Sequence, residues 1–179
     1  MLTVAPPDAG ELRYNDVFEA LLWAMSRPGE TRILPEAGME HIVETLIDLE
    51  CSAYADDVRL RAQIASTGAL LVDAVADADY VFFDHLDGFD TRLAGLRIGS
   101  ALYPDDGATL VVPVRIGDGQ RLRLTGPGIE ISRDLSLDFP AAFWAWRNQL
   151  STYPEGFDLV LVDGASVIAL PRSTQIEVL

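Results

Sequence analysis

The segment Thr125-Gly126-Pro127-Gly128 is the stretch of this sequence that most resembles an anion-binding loop. Glycines let backbone N–H groups converge on a phosphate, and Arg121 and Arg123 alternate with leucines on the predicted strand just before it. However, the proline removes one donor, and no Gly-Lys-Ser/Thr sequence follows, as a P-loop requires. Two interpretations stay open: a structural turn that ends the strand, or a contact for an anion or a partner. The two arginines could serve that contact or guard an exposed strand edge.

Two further segments carry polar groups suited to binding. In Pro171-Arg172-Ser173-Thr174, Arg172 offers a bidentate guanidinium for a carboxylate or phosphate, and Thr174 adds a hydroxyl. The alternative is a fixed C-terminal turn. Arg27 ends the first predicted helix, where it could contact a ligand or partner or simply complement the negative end of that helix.

The remaining reactive side chains do not form a recognisable catalytic or metal-binding pattern. His41 and His85 stand in unrelated contexts, and Cys51 lies in an apolar segment typical of a buried thiol. Seven carboxylates between positions 77 and 106 could hold Mg²⁺, but their spacing matches no metal-binding loop, so a solvated acidic face is the preferred interpretation. We predict no catalytic residue, no metal ligand and no cofactor.

The charge balance excludes several classes of function. The chain has 28 acidic residues and 13 basic ones, all of them arginine, which gives a net charge of −15. Without lysine it can form no Schiff base, pyridoxal-phosphate anchor or P-loop lysine contact. The negative charge also repels nucleic acid, anionic membranes and free ATP, unless arginines are concentrated locally.

Length and hydropathy predict one domain over residues 1–179, with no internal repeat and no apolar run long enough to span a membrane. The start of the chain, residues 1–7, has no basic region followed by an apolar core, and a single cysteine cannot form an internal disulfide. These features predict a soluble cytoplasmic protein.

Hydrophobic spacing indicates intermixed helices and strands. It predicts helices over about 16–26, 40–54, 57–65 and 138–150, a short helix within 86–96, and strands over 79–84, 108–114, 120–125, 159–162 and 167–170. In the first helix, Phe18, Leu21, Leu22 and Met25 are expected to form the buried face. The strands at 108–114 and 120–125 are expected to pair as one hairpin, and those at 159–162 and 167–170 as another. The pattern indicates an α/β layered domain with a mixed sheet.

Four blocks of the chain together resemble the PhnH family of the bacterial carbon–phosphorus lyase system. They are Phe18–Gly29, Pro104–Leu110, Leu122–Ile129 and Tyr153–Val178. The resemblance implies a three-layer α/β/α sandwich similar to a reduced pyridoxal-phosphate transferase without its cofactor, and a homodimer when isolated. It also implies an accessory subunit of a core complex with subunits G, I and J. PhnH proteins act there with G, I and L when a phosphonate is joined to the ribose of ATP, forming ribose 1-phosphonate 5-triphosphate.

Three functional hypotheses follow. The first is that accessory subunit, without turnover of its own. The second is an autonomous small phosphate- or nucleotide-binding enzyme that uses the turn at 126–128 and the arginines. The third is an unrelated α/β interaction module.

Overall fold

A computed structural model describes residues 6–179 of the chain. Residues 1–5, part of the segment on which the expectation of no secretory signal rests, lie outside the described residues. The helices are α1 (Ala9–Ser26), α2 (Glu40–Leu46), α3 (Val58–Thr67), α4 (Phe89–Arg92) and α5 (Ala141–Leu150). The strands are β1 (Arg32–Ile33), β2 (Ser52–Ala55), β3 (Leu70–Leu71), β4 (Tyr80–Phe82), β5 (Thr109–Pro113), β6 (Ile116–Thr125), β7 (Arg133–Leu137), β8 (Asp158–Asp163), β9 (Ser166–Leu170) and β10 (Gln175–Val178).

Seven of these strands form one mixed sheet in the order β1-β9-β8-β5-β4-β2-β3. Strands β8, β5, β4, β2 and β3 run parallel to one another, whereas β9 is antiparallel to both β8 and β1. The predicted hairpin of β8 and β9 is confirmed, and so is the mixed α/β class. None of the helices found in residues 6–179 is long and apolar enough to cross a membrane.

The large sheet is covered on both faces. Helices α1, α2 and α3 pack on one face, around Val111 and Val160. On the other face, Leu110 and Leu159 pack against α4, α5 and a second, three-stranded sheet in the order β10-β6-β7. The outer layer on this side is therefore not purely helical, as an α/β/α sandwich would require, but is shared by two helices and a small sheet.

The predicted pairing of the strands at 108–114 and 120–125 is wrong. Strand β5 lies inside the large sheet between β4 and β8, and β6 pairs with β7 and β10 in the small sheet. The reason is burial: Leu110, Val111 and Val112 are all fully buried, so β5 needs cover on both faces. On β6 only the leucines are buried and the arginines point outward, as predicted, which suits a sheet with one solvated face.

The second predicted helix is also too long. Helix α2 ends at Leu46, and residues 52–55 form the interior strand β2 instead. Ala53 and Ala55 are buried at alternate positions, which is the period of a strand, while Leu49 is 76% exposed in the connection. The apolar spacing of this segment is compatible with a helix, but residues 52–55 form a strand because they hydrogen-bond to β3 and β4 on either side and so complete the sheet.

Asp79 ties the amino ends of β2 and β4 together. Its carboxylate accepts hydrogen bonds from the backbone N and Oγ of Ser52, at 2.8 and 2.6 Å, and from the guanidinium of Arg97. Burial alone would raise the pKa of Asp79, but these hydrogen bonds and the charge of Arg97 outweigh it, so the pKa lies below its ordinary value.

We expect Asp79→Asn to destabilise the protein at neutral pH and to matter less in acid. Because the native pKa of Asp79 is below the unfolded value of about 4, its stabilising contribution is complete above that value and disappears as the pH falls through the native pKa. Urea unfolding of both proteins at several pH values measures this difference. If the difference in the free energy of unfolding between the two proteins stays constant from neutral pH to below about pH 3, the charged carboxylate has no stabilising role.

Candidate functional site

The three polar segments identified in the sequence meet in space. The turn at Gly126-Pro127-Gly128 has one side against the end of α1 and the other against the C-terminal turn. A Cβ atom at Gly128 would overlap the carbonyl oxygen of Ser26, and one at Gly126 would lie 2.9 Å from the carbonyl oxygen of Ser173. Both glycines have positive φ angles, 82° and 130°. Glycine is therefore needed at both positions, and much of the turn backbone faces protein.

Arg27 lies at the exposed rim of this junction. It is the C-cap residue of α1, and its backbone N–H donates to the carbonyl oxygen of Trp23. Its guanidinium stacks over the indole of Trp23, 4.4 Å from the ring centroid, and Arg32 lies over the same ring system at 5.2 Å. Tryptophan and arginine are both enriched among the residues that contribute most to binding at protein interfaces.

Arg121 and Arg123 lie on the solvated face of β6 and share one acidic partner. The Nε of Arg123 donates to Oδ1 of Asp134 at 2.9 Å, and Nη2 of Arg121 lies 3.7 Å from Oδ2. The hydrogen bond from Arg123 lowers the pKa of Asp134 and raises that of Arg123. This face of the small sheet carries both signs of charge, because Glu177 also pairs opposite Arg123.

Arg172 and Thr174 are placed inside the protein rather than on its surface. The guanidinium of Arg172 lies 2.6 Å from Oδ2 of Asp158 and also donates to the carbonyl oxygens of Pro104 and Gly107. Thr174 is 2% exposed. The structure thus brings Thr174 and the glycine turn close together, while the donors of Arg172 are directed to Asp158 and backbone carbonyls. Contact of these residues with a ligand or partner stays a prediction.

The largest difference between the predicted and observed surface is on α1. Phe18 and Leu22 are expected in the core from their spacing but are 51% and 56% exposed. With Tyr14 and Met25 they form a stripe along the helix, which we call the α1 face. Beside it runs an apolar groove of about 190 Å³, lined by Phe18, Leu21, Leu22, Met25, Leu46, Tyr80, Thr109 and Val160.

Side-chain size explains this rotation of α1. The helix turns smaller residues, Val17, Ala20 and Ala24, toward the sheet, and Leu21 is the one predicted core residue that is fully buried. Small side chains let α1 approach β9 and α2 closely, which the bulky side chains of the α1 face would prevent. The helix also begins earlier than predicted, because Asp8 and Glu11 form a capping box with each other.

A polar cluster at the carboxyl edge of the parallel strands has no counterpart among the predicted sites. Arg92 pairs with Asp56, lies 3.5 Å from Asp84, and places Nη1 2.6 Å from Nδ1 of His85. Because arginine can only donate, Nδ1 of His85 is the acceptor in this contact, and Nε2 of the same ring lies 3.5 Å from Asp84. Cavities of about 320 and 360 Å³ flank this cluster on either side of Asp84.

After β2 the chain continues to β3 toward one edge of the sheet, and after β4 it continues to β5 in the opposite direction. The cluster lies at this point of divergence, where open α/β sheets commonly bind ligands. Asp56 directly follows β2, and Asp84 and His85 follow β4 after one residue. In the sequence, the available signal for this cluster was polar residues that directly follow apolar runs. That signal could not locate the cluster, because the sequence does not show that β2 and β4 are parallel neighbours.

Within residues 6–179, no three His, Cys, Asp or Glu side chains are arranged to hold a metal ion. Burial raises the pKa of Cys51, which disfavours its thiolate.

Comparison with known proteins gives consistent results. The family described as bacterial phosphonate metabolism protein (PhnH) matches residues 11–177. HtxG of Stutzerimonas stutzeri, which is named as a candidate C-P lyase subunit, is 36% identical over 92% of this chain and 86% of its own length. The alpha-D-ribose 1-methylphosphonate 5-triphosphate synthase subunit PhnH of Rhizobium meliloti (strain 1021) is 29% identical over 91% of this chain and 90% of its own length. This chain belongs to the PhnH family.

Proposed function

We propose that this chain is an accessory, non-catalytic subunit of a carbon–phosphorus lyase core complex. In that complex it assembles with subunits G, I and J, and acts with G, I and L where ribose 1-phosphonate 5-triphosphate is formed from ATP and an alkylphosphonate. The names of its relatives support a subunit of a phosphonate-degrading system. A homodimer in isolation, a cytoplasmic location and a fold similar to a reduced pyridoxal-phosphate transferase without its cofactor belong to the same proposal.

The α1 face is the structural observation that carries this proposal. Large apolar side chains that are more than half exposed on one helix, next to an apolar groove, are unusual unless a partner covers them. The Trp23–Arg27 stack borders this face and adds the residue types that are enriched at interface hot spots. By contrast, the turn at 126–128 packs against Ser26 and Ser173, so the geometry favours a subunit over an autonomous enzyme built on that turn.

Leu22→Arg is expected to weaken assembly without unfolding the protein. The side chain is 56% exposed in the isolated chain, so the substitution removes little core packing, but it buries a charge in any interface that covers the α1 face. We expect affinity for the complex to fall about tenfold or more. The measurement is co-expression with subunits G, I and J, followed by pull-down and size-exclusion chromatography.

Leu102→Arg is the matched control, because Leu102 is 84% exposed and lies outside the α1 face. It should co-elute with the partners as the wild-type chain does. If wild-type chain fails to co-elute with G, I and J, the subunit function is wrong. If Leu22→Arg co-elutes normally, the interface lies elsewhere. If it only converts a dimer of the isolated chain into a monomer, the α1 face joins two copies of this chain.

A further inference from the structure

A cavity of about 300 Å³ lies between the end of α5, the C-terminal turn and β10. Its lining residues are Arg147, Asn148, Ser151, Tyr153, Arg172, Ser173, Thr174, Gln175 and Ile176. No aspartate or glutamate belongs to this lining, whereas the cavities beside Asp84 are each lined by three acidic residues. In a chain with a net charge of −15, an arginine-lined cavity without a carboxylate is a distinctive electrostatic environment.

Arg147 provides the charge of this cavity. It is 1% exposed, and within residues 6–179 it has no carboxylate within ion-pair distance. Its Nη1 and Nη2 donate to the carbonyl oxygens of Thr174 and Pro171, at 3.1 and 2.9 Å. Burial lowers its pKa to about 10, so the guanidinium is still charged at neutral pH. Arg172 forms an ion pair with Asp158, whereas Arg147 feels the charge of Asp158 only from farther away, which partly opposes the lowering of its pKa by burial.

Three buried polar atoms around this cavity have no hydrogen-bond partner among the described residues. They are Nε of Arg147, Oγ of Ser151 and Oγ1 of Thr174. An unsatisfied buried donor costs about 1–3 kcal/mol, so native proteins contain few of them. An acceptor bound in this space would satisfy these three atoms once their side chains turn toward it. A water molecule could satisfy the hydroxyls, but it would not compensate the buried positive charge.

We propose that this cavity binds a tetrahedral oxyanion, such as a phosphate or phosphonate group, through Arg147, Ser151 and Thr174. The volume is at the small end of the range of ligand sites and suits one such group. An oxyanion accepts from several donors at once, and charge-assisted hydrogen bonds to a guanidinium are strong where water is excluded. The three atoms expose almost no surface, so binding requires the side chains of Arg147, Ser151 and Thr174 to turn toward the oxyanion. This proposal does not depend on assembly with other subunits.

The test is a titration of the isolated, full-length chain with inorganic phosphate and with methylphosphonate. Binding is followed by thermal unfolding and by ³¹P line broadening, with potassium chloride at equal ionic strength as the reference. We expect both oxyanions to raise the unfolding temperature above the chloride reference. ATP is added in competition: displacement of phosphate by ATP identifies the terminal phosphoryl group of a nucleotide as the source, and no displacement identifies a free oxyanion.

Thr174→Val and Ser151→Ala are the decisive variants, since they remove one hydroxyl each and preserve most of the packing. Each should weaken phosphate binding about tenfold, the effect of one charge-assisted hydrogen bond. Without anion, Thr174→Val should not lower the unfolding temperature, because the hydroxyl it removes has no partner. Arg147→Met should abolish binding, and Arg61→Met, at an arginine outside the cavity that pairs with Asp73, should leave it unchanged.

Two results would overturn the proposal. One is that phosphate and methylphosphonate stabilise the wild-type chain no more than chloride does at about 10 mM. The other is that Thr174→Val and Ser151→Ala bind phosphate as the wild-type chain does. The two hydroxyl variants also decide the question if Arg147→Met fails to fold.

Discussion

Replacing Gly128 with alanine is expected to lower the free energy of unfolding by about 3 kcal/mol. Two effects add. An alanine at φ 82° costs about 1 kcal/mol of backbone strain. Its Cβ would also overlap the carbonyl oxygen of Ser26 and lie 2.8 Å from Cδ of Pro28, so the turn and the end of α1 must separate. Urea unfolding of the isolated chain measures the loss.

Gly164→Ala is the control for this change. Gly164 also has a positive φ angle, 60°, but a Cβ there would have no atom within 4 Å. Only the backbone strain of about 1 kcal/mol should therefore be lost. Equal losses for the two variants would show that the contact between the turn and α1 contributes nothing. A larger loss for Gly128→Ala would establish this junction as a stabilising contact of the fold.

The second large effect is expected for Arg172→Met, at about 3–5 kcal/mol. Asp158 and Arg172 are 14% and 15% exposed, and the same guanidinium holds the carbonyl oxygens of Pro104 and Gly107. Removing the guanidinium leaves the buried carboxylate of Asp158 with only one donor from residue 172, the backbone N–H. The free energy of unfolding should be measured together with the double variant Arg172→Met/Asp158→Leu.

The double variant separates the cost of losing the guanidinium contacts from the cost of leaving the Asp158 carboxylate buried without its partner. It removes the buried charge as well as its partner, so it should recover part of the lost stability. Arg123→Met is the matched surface control, and it should change stability little, because its pair with Asp134 is exposed to solvent. If Arg172→Met is as mild as Arg123→Met, the Asp158 pair does not hold the C-terminal turn in place.

Gly128 and Arg172 lie in the two polar segments that the sequence marks as candidate binding sites. The glycine turn and the C-terminal turn each have a structural and a binding interpretation. The contacts of Gly128 and Arg172 account for the presence of both residues without any ligand. Binding chemistry in this region falls instead to Arg147, which the sequence presents only as one polar residue of an amphipathic helix.

Local sequence patterns predict several elements well. The hairpin of β8 and β9, the outward arginines of β6 and the presence of helices near 57–65 and 138–150 all depend on neighbouring residues in the chain. The errors concern long-range partners. The patterns place β5 in the wrong sheet and residues 52–54 in a helix, because local spacing does not reveal which strand will be the hydrogen-bonded neighbour.

The candidate sites show the same division. The α1 face has the spacing of a buried helix face, and hydrophobic spacing cannot distinguish a face that meets the sheet from one that meets another protein. The cluster of Asp56, Asp84, His85 and Arg92 required the order of β2 and β4 in the sheet. The Arg147 cavity required the C-terminal turn to fold back over α5.

By itself, the sequence determined the α/β class, the absence of lysine chemistry, the strong negative charge and the resemblance to the PhnH family, since these depend on composition and on short segments of chain. Only the tertiary structure decided which apolar face stays exposed and which arginine is buried with no carboxylate of residues 6–179 within ion-pair distance. Both are set by contacts between residues far apart in the chain. Arg147 and Thr174, for example, are 27 positions apart and share a hydrogen bond of 3.1 Å.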